Sequence, residues 1–260
     1  MSNQQVLNVR SNIFKTYIFF VSFLLTSGYQ LSASAAEQEF NSTKERVQLV
    51  ELYTSEGCSS CPPADRWLSS LIDHKDLWTK VVPIAFHVDY WDYIGWKDPF
   101  ASPRHTQRQY QFKNQGLSNS VYTPEVIRNG YELRDWYQTS AYTPTKGQDI
   151  GELKVKLKNG IANISFIPTP DTDAPLEANM ALLGIDLATT VKAGENRGKT
   201  LKHNFVALNW QNQTANSEDN KYQWSLPLQN NSKHQAKAIA IWVSVQNDPR
   251  PIQAVGGLLR

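Results

Sequence analysis

Long hydrophobic runs are scarce in this sequence. Residues 17–25 form one apolar stretch, too short to span a bilayer, and no other segment is long or apolar enough to try. Charge of one sign is missing too. Residues 1–36 carry Arg10 and Lys15 and no acid, so the remainder holds equal numbers of basic and acidic side chains. That balance argues against nucleic acid or an anionic membrane as a main partner. Cysteine occurs twice in 260 residues, at Cys58 and Cys61. Any thiol chemistry therefore rests on that one pair. There is no internal repeat, and no glycine-rich loop between strand and helix of the kind that cradles phosphate.

What is present fills a large core. Hydrophobic residues make up 40% of the chain, with 8 Trp, 11 Tyr and 10 Phe, which excludes wholesale disorder. Residues 1–36 have the layout of a signal peptide: a basic lead, a short apolar centre and small-residue cleavage sites around Ala33-Ser34-Ala35-Ala36. The expectation is an exported protein, periplasmic or secreted, with peripheral or no membrane association after cleavage. In such an oxidising compartment a disulfide persists.

Along the chain, residues 37–45 read as a flexible polar lead. Residues 46–53 read as a strand, followed by the two cysteines and a helix around Trp67–Ile72. Residues 81–88 are continuously apolar, as in a parallel strand covered on both faces. Strand, helix and strand in that order predict a βαβ unit. Asp89–Phe100 is an aromatic insert, and 103–115 a polar-faced helix stopped at Gly116. Thr123-Pro124 opens a short strand that leaves through Asn129-Gly130, the signature of a type I′ hairpin turn. Beyond residue 150 the pattern changes to alternating strands: 153–157, 161–166, 177–187, 200–209, 222–228 and 237–246. The expected organisation is 46–147 and 148–260 as two domains, with residues 142–147 as linker and the second domain a β-sandwich.

The Cys58-Ser59-Ser60-Cys61 run after a first strand, together with Thr123-Pro124 before a later one, resembles the thioredoxin superfamily. More narrowly, four phrases resemble the family designated DUF1223, a secreted thioredoxin-like family of unknown function. They are Val50–Asp65, Phe86–Phe100, Val121–Pro124 and Gly194–Leu201. The resemblance implies an α/β thioredoxin-like N-terminal domain followed by a mainly β C-terminal domain, with a cis Pro124 loop facing the cysteines. One departure stands out: Asp135–Ala141, where such a domain closes with a helix, is a poor helix former.

The candidate site follows. A thiol at a helix N-terminus is favoured as thiolate by free N–H groups and the helix dipole. Cys58 is expected to attack and Cys61 to resolve, with Glu56 opposing ionisation. The alternative is a structural disulfide, although so short a loop stabilises by only about 2 kcal/mol. His87 and Asp89, two apart on a strand, are expected near Cys58. There His87 accepts a proton from Cys61 while Asp89 fixes its tautomer; the alternative is a backbone-satisfied histidine and a turn-capping aspartate. Thr123 and Pro124, with Tyr122 and Trp91, are expected to bind an extended substrate segment. Gly194–Leu201 reads as a structural hairpin or a contact with the first domain.

The function these expectations describe is thiol–disulfide exchange with protein thiols or disulfides. It needs no cofactor beyond a Cys58–Cys61 disulfide and no resident metal. The competing reading is a non-catalytic binding module whose cysteines are structural, or hold copper or zinc together with His87.

Overall fold

The computed structural model describes residues 37–138 and 148–260. The expected signal peptide, 1–36, and the expected linker, 142–147, lie outside the described residues. In chain order the strands are β1 Gln38–Asn41, β2 Gln48–Thr54, β3 Val81–His87, β4 Glu125–Arg128, β5 Tyr131–Glu132, β6 Gly151–Lys158 and β7 Ile161–Pro168. They continue with β8 Leu176–Gly184, β9 Leu187–Thr190, β10 Thr200–His203, β11 Val206–Ala215, β12 Tyr222–Pro227, β13 Ala238–Val245 and β14 Pro251–Leu258. The α-helices among the described residues are α1 Pro62–Ser69 and α2 Pro103–Asn114.

This is a mostly β architecture, and it corrects the expected fold class. No separate α/β thioredoxin-like domain precedes a β domain. Eight strands from both halves of the chain join in one mixed sheet, ordered β14-β13-β8-β11-β3-β2-β4-β5. β2 and β3 do run parallel, Gln48 opposite Val81 through Thr54 opposite His87. But β11 then lies on the far side of β3, where Ala85 N–H donates to the Phe205 carbonyl at 2.8 Å. Among the described residues between β5 and β6 there is a 3-10 turn at Trp136–Gln138, in keeping with the poor helix formers at that place. The reason is physical. β3 is apolar on both faces and has a second hydrogen-bonding edge to fill, and the chain fills it with β11 in place of a helix-covered boundary.

A second sheet, β1-β6-β7-β12, packs on the β8–β13–β14 end of the large one. Phe40, Val155, Ile164, Phe166 and Trp224 meet Met180, Ile241 and Val243 there. Residues 37–45 are therefore not a free lead, since β1 pairs antiparallel with β6. The expected hairpin at 153–166 is present as β6 and β7. At the other end α2 covers one face of β2 and β3 through Phe112 beside Tyr53 and Phe86. α1, through Ala64 and Leu68, and the 3-10 turn after it, through Leu71, cover the opposite face. The stretch expected as one strand over 200–209 is two, broken at Asn204-Phe205, where Phe205 takes a positive φ of 61°.

Candidate functional site

β2 ends at Thr54, and the chain turns through Ser55-Glu56-Gly57 into α1. Pro62 and Pro63 occupy the first positions of α1, where a missing N–H costs no hydrogen bond, so Cys61 becomes the N-cap. That geometry brings the two sulfurs together as a disulfide, with the Cα atoms 5.5 Å apart. Cys58 and Cys61 are both 0% exposed, whereas Ser59 and Ser60 between them are exposed. The disulfide is therefore closed off from solvent, although the loop between its cysteines is exposed.

The aromatic insert helps cover it. A side chain at Gly57 would meet Ile94 at 3.1 Å and Trp91 at 3.2 Å. Trp91 Nε1–H donates to Thr123 Oγ1 at 2.7 Å, and Cys58 Sγ stands 3.9 Å from the Thr123 carbonyl oxygen. The Thr123–Pro124 peptide is cis. The insert thus divides: Phe100 is buried core, Trp91 and Trp96 are half-buried, and Tyr93 is exposed. Tyr122 points outward and hydrogen-bonds Glu132.

Below the disulfide is a buried cluster of carboxylates and imidazoles. Glu56 accepts from Trp96 Nε1 at 2.9 Å through Oε2 and faces His203 Nε2 at 3.1 Å through Oε1. The other nitrogen of His203 is 3.4 Å from Asp65 Oδ1, and Asp65 Oδ2 accepts from Thr54 Oγ1 at 2.8 Å. Burial alone would push the His203 pKa down, but the hydrogen bonds and charges of Asp65 and Glu56 outweigh it and raise it to about 10. His87, the last residue of β3, bonds Asp98 Oδ2 through Nδ1 at 2.7 Å. Asp98 also accepts the N–H groups of Glu56 and Phe100. Burial would raise Asp98, but His87 and those N–H groups together hold it below the usual carboxylate range.

Two expected roles shift on this geometry. Asp89 lies past the end of β3 and takes a hydrogen bond from Thr106 Oγ1 at 2.6 Å, so the carboxylate that orients His87 is Asp98. Among the described residues, the polar side-chain contact of His87 is Asp98, not a sulfur. The 194–201 stretch does contact the first half of the chain. Asn196 Nδ2 donates to the carbonyls of Glu56 and Cys58, both at 2.9 Å, and Glu195 accepts the Ser59 N–H at 2.9 Å. Asp65, Asp98 and His203 escaped the sequence reading. The one available signal was the excess of acids near the cysteines, since His203 arrives from a strand far downstream.

No curated protein matches the chain. Two solved structures share its fold. Protein AGR_C_4864 from Agrobacterium tumefaciens aligns with a TM-score of 0.58 and 24% identity, covering 84% of this chain and 96% of that one. HBP35 of Porphyromonas gingivalis aligns with a TM-score of 0.56 and 14% identity, over 84% of this chain and 76% of that one. Residues 49–244 match the family described as protein of unknown function, DUF1223. That span includes the disulfide, the Thr123–Pro124 loop and the whole buried cluster, and the chain belongs to the DUF1223 family.

Proposed function

We propose that this chain exchanges thiols and disulfides with protein partners through Cys58 and Cys61. The observation that carries the reading is the placement of the disulfide. It closes a four-residue turn at the start of α1, beside the Thr123 backbone, with Ser59 and Ser60 of that turn exposed. A crosslink that short removes little entropy from the unfolded chain, about 2 kcal/mol, so stability is a weak reason for it. In the reduced protein, the Cys58 thiolate attacks a partner disulfide, a mixed disulfide forms and one partner thiolate leaves. The Cys61 thiolate then attacks Cys58 Sγ, re-forming the Cys58–Cys61 bond and releasing the second partner thiolate. Two electrons pass to the partner, and the reverse sequence oxidises it. An extended partner segment pairs with the backbone of Thr123, in the manner of strand addition. For the sulfurs to be reached, Ser59-Ser60 and Trp91 must move aside.

A second reading is favoured by the burial of both cysteines: a closed disulfide that only staples the turn. One experiment separates the two. The reduction potential is measured against a glutathione series, and insulin reduction is followed with Cys58→Ser and Cys61→Ser controls. An exchange protein equilibrates within the glutathione range and loses turnover in both variants. A potential below about −300 mV with no turnover identifies the staple.

A further inference from the structure

We infer that Asp65, His87 and His203 form a binding site for a divalent first-row transition metal ion, with Zn2+ the best fit. The inference is independent of thiol exchange, because it uses no sulfur and applies to the oxidised protein. It begins with an orphan. His87 is fully buried and its Nδ1 is held by Asp98 at 2.7 Å, yet its Nε2 has no hydrogen-bond partner. With the Nδ1 proton on the carboxylate side, Nε2 is a bare lone pair in the interior. A buried acceptor left unpaired is costly, and it calls for an occupant.

That lone pair has company. One ligand atom each from Asp65, His87 and His203 lie within 4.8 Å of one another, and all three residues are buried. The His203 and His87 rings are 5.0 Å apart and nearly perpendicular. His203 Nδ1 and Asp65 Oδ1 are separated by 3.4 Å. That is the spacing of two ligands about 2.1 Å from a tetrahedral ion, so only His87 has to close in.

Each ligand is also braced from behind, as metal ligands are. Asp98 holds the far nitrogen of His87 and Glu56 the far nitrogen of His203, while Thr54 Oγ1 holds the second oxygen of Asp65. For His87 this bracing leaves Nε2 facing the cluster, and for His203 the metal takes the place of the proton that Nδ1 shares with Asp65.

Charge points the same way. Glu56, Asp65 and Asp98 are buried together, and their side-chain hydrogen bonds run to imidazole, indole, hydroxyl and backbone N–H groups. Three buried carboxylates face two imidazoles, of which His203, paired with Asp65 and Glu56, already carries one positive charge, and a dication taking the place of its Nδ1 proton adds the charge still missing. Two imidazoles and one carboxylate select zinc, iron or copper over calcium and magnesium, which want oxygen alone. Phe100 packs on both imidazoles, at 5.2 and 5.8 Å, and also lines an open cleft of about 510 Å³.

The test uses the full chain with its disulfide closed, confirmed by the absence of titratable thiol, and stripped with EDTA. Co2+ titration should give one equivalent bound, with visible d–d absorption that Zn2+ abolishes, and Zn2+ should raise Tm. His87→Gln and His203→Gln should each weaken binding by at least about a hundredfold. Asp98→Asn and Glu56→Gln should weaken it by about 10- to 100-fold. Sub-stoichiometric Co2+ uptake, an unmoved Tm, or full binding in the His87 and His203 variants overturns the proposal. If those variants do not fold, ring-nitrogen NMR of the unaltered protein decides. Zn2+ should shift the imidazoles of His87 and His203, and shifts that spare those two overturn it.

Discussion

Arg108 on α2 grips Glu51 on β2 with two nitrogens, Nε to Oε2 at 2.7 Å and a terminal nitrogen to Oε1 at 2.9 Å, and both side chains are buried. The same guanidinium lies 5.1 Å from the ring centre of Trp242 and 5.3 Å from that of Phe112. It also donates to the Pro249 carbonyl at 3.1 Å. One side chain thus ties the helix to β2 and to the turn between β13 and β14.

Removing one partner of that pair strands a charge in the interior. Arg108→Met should therefore cost about 3–5 kcal/mol in urea unfolding. Glu51→Gln combined with Arg108→Met should cost clearly less than the sum of the two single changes, since no lone charge remains. Additive losses in the double-mutant cycle would show that the pair is not coupled.

Stability between pH 4 and 7 should show two opposed titrations. Burial raises Glu125, beside Pro124, from 4.5 to about 7. The folded state then binds more protons than the unfolded state between those values, so stability falls as pH rises through the window, by about 3 kcal/mol. Burial lowers His105 from 6.5 to about 4. Its contribution is present above 6.5 and is lost as pH falls towards 4, the opposite slope. Glu125→Gln should expose the His105 slope, and His105→Gln the Glu125 slope. Unchanged pH profiles in both variants would refute the assignments.

Trp91 caps the Thr123 side of the disulfide through its 2.7 Å hydrogen bond. Trp91→Ala removes both the bond and the cover. Reduction of Cys58–Cys61 by dithiothreitol should accelerate at least about tenfold, equivalent to about 1.4 kcal/mol of opening free energy. Equal rates would mean that the insert does not control access.

Asn129 and Gly130 join β4 and β5 with φ values of 51° and 85°. A side chain at Gly130 would also press on Arg250, whose Cα lies 2.9 Å from the added Cβ. Gly130→Ala should cost more than about 1 kcal/mol by chemical denaturation, from strain and from clash together. A neutral result would show that the turn relaxes freely.

Much of this was legible in the sequence because it is local. The Asn129-Gly130 turn, the β6–β7 hairpin and the parallel β2–β3 pair are written in periodicity and turn chemistry over a few dozen residues. The placement of β11 beside β3 is not, because both of its edges look alike in sequence and only the whole sheet decides which is used. That single unread pairing hid the cluster as well. Asp65 and His87 come from the first half of the chain and His203 from just before β11, so spacing along the sequence gave no reason to join them. Asp89 was the nearer carboxylate to His87, but the bend after β3 turns it towards Thr106 and lets Asp98 take its place.

The Ala85–Phe205 hydrogen bond also sets a timetable for synthesis. A nascent chain that has emerged through β5 holds β2, β3 and β4, yet the outer rim of β3 stays bare until Phe205 leaves the ribosome. Through that interval the rim is a sticky template for any neighbouring chain. Production at high expression or elevated temperature should therefore be limited by the wait for β11, and a chaperone that shields unpaired strand rims should improve soluble yield more than one acting on the finished protein.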